Sequence, residues 1–169
     1  MKARAPITPR IAAALALAAA MSAHSQEATF TVRVMTLETA TQAARGALES
    51  CRKAGYQVAV AVVDRSGVTQ VLLRDRFAGP HTVDMAVDKA WTAVSFRTHT
   101  GALAEATQAG KPQSGIRERA RVAAVAGGMM IEAAGALVGG IGVSGAPGGD
   151  LDEACARAGL AAIQQNLDF

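Results

Sequence analysis

An α+β domain is the fold class this sequence predicts. Two stretches with apolar residues at helical spacing stand near its ends. Between them, short valine- and glycine-rich runs at 57–64, 68–74, 121–126, 128–132 and 136–143 follow one another through small-residue turns. Strands joined by short turns are antiparallel neighbours. The expected architecture is therefore a five-stranded antiparallel sheet flanked by helices, with the N- and C-terminal helices on one face. The chain has 169 residues, half of them hydrophobic and only 4% aromatic, which suits one compact Ala/Gly/Val-rich domain over 35–169.

Each element has a local cause. Thr36 is a good N-cap for a helix over about 37–53, with Leu37, Ala40, Ala44, Ala47, Leu48 and Cys51 on one face and Gly55 beyond its end. The run QVAVAVVD is too short and too rich in valine for a helix, and Arg65-Ser66-Gly67 turns it into the return strand 68–74. After RDRFAGPH, Thr82 is placed to cap a helix over about 83–97, with Asp84 favourable in its first turn and Val83, Ala86, Val87, Ala90, Trp91 and Val94 as its apolar face. A short helix near 101–107 precedes a long polar loop, GKPQSGIRER, over 110–119; loops of that length in a small domain tend to be functional or mobile. Gly135 within Ala133–Ala136 supplies a tight hairpin, and the last helix runs from about 150 to 165.

The N-terminus reads as an export signal. Lys2, Arg4 and Arg10 precede an apolar run from Ile11 to about Met21, and Ala23-His24-Ser25 offers small residues for cleavage before Gln26. The run is shorter than the roughly 20 residues a spanning helix needs. Loss of residues 1–25 as a signal peptide removes three basic residues and no acids, leaving fourteen of each sign, so the basic pI belongs to the signal and no nucleic-acid surface is expected. No membrane span is expected in the mature chain. Residues 26–34 form a short N-terminal segment. Export places Cys51 and Cys155 in an oxidising periplasm or outside the cell. A disulfide requires the first and last helices to pack with Cα atoms within about 7 Å; two buried thiols acting as small apolar side chains is the favoured alternative.

Residues 140–145, GIGVSG, have the spacing of a dinucleotide-binding turn. That turn opens a βαβ unit, and the 24 residues after Gly145 suffice for one helix without a returning strand. Gly139, Gly140 and Gly142 instead mark a strand that another backbone or a flat ligand approaches closely. No catalytic residues are assigned: Ser144 lacks a downstream His, no His/Cys cluster has zinc spacing, and Asp150, Asp152 and Glu153 read as first-turn acids that favour the helix dipole.

In combination, VVD-x-x-G at the first hairpin, the D-K-A-x-T-A helix at 88–93 and IGVSG near the C-terminus resemble the GlcG/HbpS family of haem-binding proteins, related to the C-terminal domain of PduO-type proteins. The resemblance spans about 35–166. It implies a profilin-like α+β domain, a homo-oligomer of up to eight chains, and haem as the expected cofactor. One branch of the family is described as haem-degrading.

Haem needs an apolar slot, cations for its propionates and an axial donor. On that resemblance His81, in a Gly-Pro-rich loop before a helix, is the candidate iron ligand, with Met85 one turn later and Lys89 another turn on. Arg74, Arg76 and Lys111 are candidates for the propionates. The plainer alternatives are His81 as a solvent-facing loop residue, His99 exposed at a helix end, Met85 in the core, and Lys89 in a salt bridge or oligomer contact. The function expected is a periplasmic or secreted haem- or tetrapyrrole-binding protein acting by sequestration or sensing. Its rivals are a small haem-degrading or carboxylate-processing enzyme and an accessory subunit of a periplasmic oxidoreductase.

Overall fold

The computed structural model describes residues 28–167; the expected export signal lies outside them. The chain divides into two compact units, Met1–Val32 and Arg33–Phe169. The described part of the first, residues 28–32, forms no helix or strand. The second, taken by itself, runs α1 (Leu37–Lys53), β1 (Ala59–Asp64), β2 (Thr69–Arg74), α2 (Thr82–Phe96), α3 (Thr100–Ala106), a 3-10 turn (Ser114–Glu118), β3 (Gly128–Ala133), β4 (Ala136–Ser144) and α4 (Gly149–Leu167).

The sheet is antiparallel throughout, in the order β2-β1-β4-β3. It has four strands among the described residues, where the sequence suggests five. The segment 121–126 is irregular because its backbone groups bond to a side chain instead of a ladder. The Thr92 hydroxyl donates to the Arg121 carbonyl at 3.1 Å and accepts from the Ala123 amide at 3.0 Å. Arg121 itself turns the chain with φ 70°. The β3–β4 hairpin does form at the expected place: Ala133 pairs with Ala136, and Ala134 and Gly135 both have positive φ, as a two-residue primed turn requires.

The central strands β1 and β4 are buried on both faces, and β1 shows why. Val60 and Val62 join Met129, Ile131, Ile141 and Val143 against α1 and α4, while Ala59, Ala61 and Val63 face α2. Helices α1 and α4 thus share one face, as the sequence predicts. The α2 face is lined by small residues, and the close approach they permit is taken by helix backbone. A Cβ on Gly142 would sit 2.1 Å from the Ala86 carbonyl oxygen, and one on Gly140 would sit 2.9 Å from that of Ala90. The room left by Gly140 and Gly142 is therefore filled by α2 and not by a ligand.

Two local expectations are corrected. Cys51 and Cys155 are joined in a disulfide with Cα atoms 5.5 Å apart, because α1 and α4 pack side by side and bring these two buried positions together. Thr82 does not cap α2. It is the first helical residue, and its hydroxyl donates to the Gly79 carbonyl at 2.7 Å, with His81 in the N-cap position.

Candidate functional site

The segment 75–81 connects β2 to α2 and is held rigidly at its root. Asp75 is buried; its carboxylate accepts from Arg52 Nε at 2.7 Å and from the Val58 amide, and its own amide donates to the Val58 carbonyl at 2.9 Å. The Arg74 guanidinium donates to the Ala78 carbonyl. The Ala78 amide reaches the Asp75 carbonyl, and the Thr82 amide and hydroxyl both reach that of Gly79. With its backbone fixed in this way, the loop turns Arg76, Phe77 and His81 outward.

Phe77 is 78% exposed, which is unusual for an aromatic residue on so well-tied a loop. The Arg76 guanidinium carbon lies 6.0 Å from the centre of its ring. Arg52, Gln57, Asp75, Arg76 and Phe77 line a shallow cleft of about 480 Å³ beside it. His81 rests over Gly79, where a Cβ would lie 2.7 Å from the imidazole Cε1, so the ring's position requires glycine there. Its side chain caps no backbone group of α2. Met85, one turn on and 37% exposed, is at the surface and not in the core. The structure thus places Arg76 and His81 on this loop, Arg74 at the end of β2 that leads into it, and Met85 on the helix it feeds.

Lys89 and Lys111 stand apart from that group. Lys89 is 2% exposed, and its ammonium donates to Asp152 Oδ2 at 2.7 Å and to the Val143 carbonyl at 2.9 Å. Its expected role at a ligand is corrected: the charge is spent inside the protein, joining α2 to β4 and α4. Asp152, which also accepts from the Ala146 amide at 2.9 Å, is the residue missed by sequence reasoning, where it reads as a dipole-favouring acid. Burial pushes its carboxyl above the ordinary 3.8, and Lys89 pulls it back. Gly127 makes room for the pair, since a Cβ there would lie 2.8 Å from Lys89 Nζ. Lys111 is exposed on the 110–119 segment beyond α3. His99 is half-buried instead of exposed, and its Nδ1 accepts the Met130 amide of edge strand β3 at 3.3 Å.

This architecture is shared with solved proteins. A double mutant of Streptomyces reticuli HbpS matches with a TM-score of 0.77 and 40% identity, covering 96% of this chain and 99% of that one. The structure named as the PduOC:heme complex matches with a TM-score of 0.73 and 29% identity, covering 78% of this chain and 96% of that one. In sequence, the corrinoid adenosyltransferase PduO of Salmonella typhimurium is 32% identical over 131 residues, 76% of this chain, but the match spans only 38% of that enzyme's length. Residues 35–161 match the family described as haem degrading protein HbpS-like. The chain belongs to the HbpS-like family.

Proposed function

We propose that the chain binds haem, or a similarly flat tetrapyrrole, on the surface made by the 75–81 loop and the first turns of α2, and that it acts by sequestration or sensing after export. The observation that carries this reading is His81: an exposed imidazole, seated over Gly79 and unused as a helix cap, on the loop that also exposes Phe77 and Arg76. These residue types fit the group. Imidazole is an iron ligand, an exposed aromatic ring and thioether suit a porphyrin face, and guanidinium suits a propionate. Met85 is the thioether, and Arg76 and Arg74 are the nearest cations in sequence. A relative whose structure is named as a haem complex supports the choice of ligand.

The disulfide between Cys51 and Cys155 is in keeping with an oxidising compartment, periplasmic or extracellular. A homo-oligomer of up to eight chains is part of the same proposal, and light scattering at micromolar concentration that finds only a monomer rejects it.

The test is a haem titration of the exported chain followed by absorbance. A saturable, shifted Soret band at one haem per chain or per subunit pair, altered in His81→Ala, is the expected result. No shift overturns the reading, and an unchanged spectrum in His81→Ala removes His81 as the ligand. Haem consumed once reductant and oxygen are added replaces sequestration with degradation.

A further inference from the structure

A second hollow lies on another part of the molecule, between the end of α2, helix α3 and the strap 110–118. Its volume is about 410 Å³, within the range of small-molecule sites. Phe96, Leu103, Pro112, Gln113, Gly115 and Ile116 line it, so the Gln113 amide is the single polar side chain in an apolar wall.

The strap is tied down at its C-terminal end by Arg117. Arg117 Nε donates to the Thr107 carbonyl at 2.7 Å and to the Thr107 hydroxyl at 2.9 Å, and its Nη2 donates to the Ala104 carbonyl at 2.6 Å. These bonds satisfy carbonyls at the end of α3 and tie the 3-10 turn to it. Gly110 has φ 83°, and a Cβ on Gly110 or Gly115 would meet nothing within 4 Å. Gly110 therefore serves the strap's conformation and not its packing, whereas neither requires glycine at 115.

Charge around the hollow is one-sided. From 97 to 121 the chain carries Arg97, Lys111, Arg117, Arg119 and Arg121 against Glu105 and Glu118. Arg117 is committed to α3 and Arg121 is paired with Asp88 at 3.1 Å. Arg97, Lys111 and Arg119 are exposed and form no ion pair among the described residues. Arg97 directly follows Phe96, and Lys111 directly precedes Pro112, so two lining residues each have an exposed, unpaired cation as their chain neighbour.

We infer that this hollow is a binding site for an amphipathic carboxylate, with a compact aromatic or aliphatic body against Phe96, Leu103 and Ile116 and its carboxylate toward Lys111 and Arg97. An apolar interior whose lining residues are followed or preceded in the chain by exposed cations favours this class over neutral apolar molecules and over polar anions alike. The inference is independent of the tetrapyrrole reading, which uses none of these lining residues.

The test is amide chemical-shift mapping of the oxidised protein titrated with 2-naphthoate and, separately, with neutral 2-naphthol. Saturable shifts centred on Phe96, Leu103 and Ile116 are expected for naphthoate. In Lys111→Glu its affinity falls about tenfold while that for naphthol is unchanged, as expected for one charge reversed near the carboxylate. Ile116→Trp, which fills the hollow, abolishes the shifts; should it fail to fold, Lys111→Glu on an exposed side chain carries the test. Absence of saturable shifts overturns the site. Equal binding of naphthoate and naphthol, or no effect of Lys111→Glu, overturns the carboxylate assignment.

Discussion

Replacing Asp152 with Asn isolates what the buried ion pair does for the fold. The two charges are 2% and 5% exposed, and among the described residues the carboxylate is the only anion paired with the Lys89 ammonium. Asn keeps the shape and can still accept from the Ala146 amide, but it leaves a buried ammonium with the Val143 carbonyl as its remaining oxygen partner. Breaking a buried pair on one side typically costs about 3–5 kcal/mol. In a domain of this size each kcal/mol is worth roughly 3–5 °C, so the midpoint should fall by about 10–20 °C. Thermal unfolding followed by circular dichroism, with the disulfide intact, measures the midpoint, and urea unfolding measures the free energy. The double variant Lys89→Met with Asp152→Leu should lose less than Asp152→Asn alone, because no uncompensated charge remains buried. A loss below about 1 kcal/mol in Asp152→Asn would mean that Lys89 finds water or another partner, and the picture of a dry, paired interior would be wrong.

Other perturbations separate the remaining parts of the structure. Gly142→Ala should cost at least the roughly 1–3 kcal/mol of an overpacked core, because its Cβ would meet α2 backbone at 2.1 Å. Gly110→Ala, at a positive φ in open space, should cost only about 1–2 kcal/mol; equal losses in the two variants would count against the close α2–β4 contact. Replacing both cysteines with Ala should lower stability by about 2–4 kcal/mol, given the 104-residue separation that the bond closes; unchanged urea midpoints with and without reductant would rule the bond out. Thr92→Val should free the 121–123 backbone and raise its amide exchange by about tenfold or more, corresponding to the loss of roughly 1–3 kcal/mol; unchanged protection would show that other contacts hold the segment.

What could be read from the amino acids depended on how local the cause was. The helix from Leu37 and the hairpin around Arg65-Ser66-Gly67 follow from spacing, capping and turn residues close in the chain, and the structure has both. The run RVAAVA at 121–126 has strand composition, yet its backbone partners belong to Thr92 on a distant helix, which no local pattern reveals. Asp150 and Asp152 look alike as first-turn acids. Only packing against Lys89, 63 positions away, makes one of them an interior charge. The disulfide needed the same knowledge, namely that α1 and α4 lie side by side. At the candidate site, His81 and Arg76 stood out by residue type, whereas Phe77 did so only through its exposure. Thr82 shows the limit of a cap rule applied by residue name, since its hydroxyl donates backward to Gly79.

The most direct test of the tetrapyrrole proposal is to locate the iron. Crystals of the protein grown with haem, measured at the iron absorption edge, should give an anomalous peak within ligand distance of the His81 imidazole, beside Phe77 and Met85. A peak against the Phe96–Ile116 hollow, or elsewhere on the surface, would contradict the assignment of the 75–81 loop as the site.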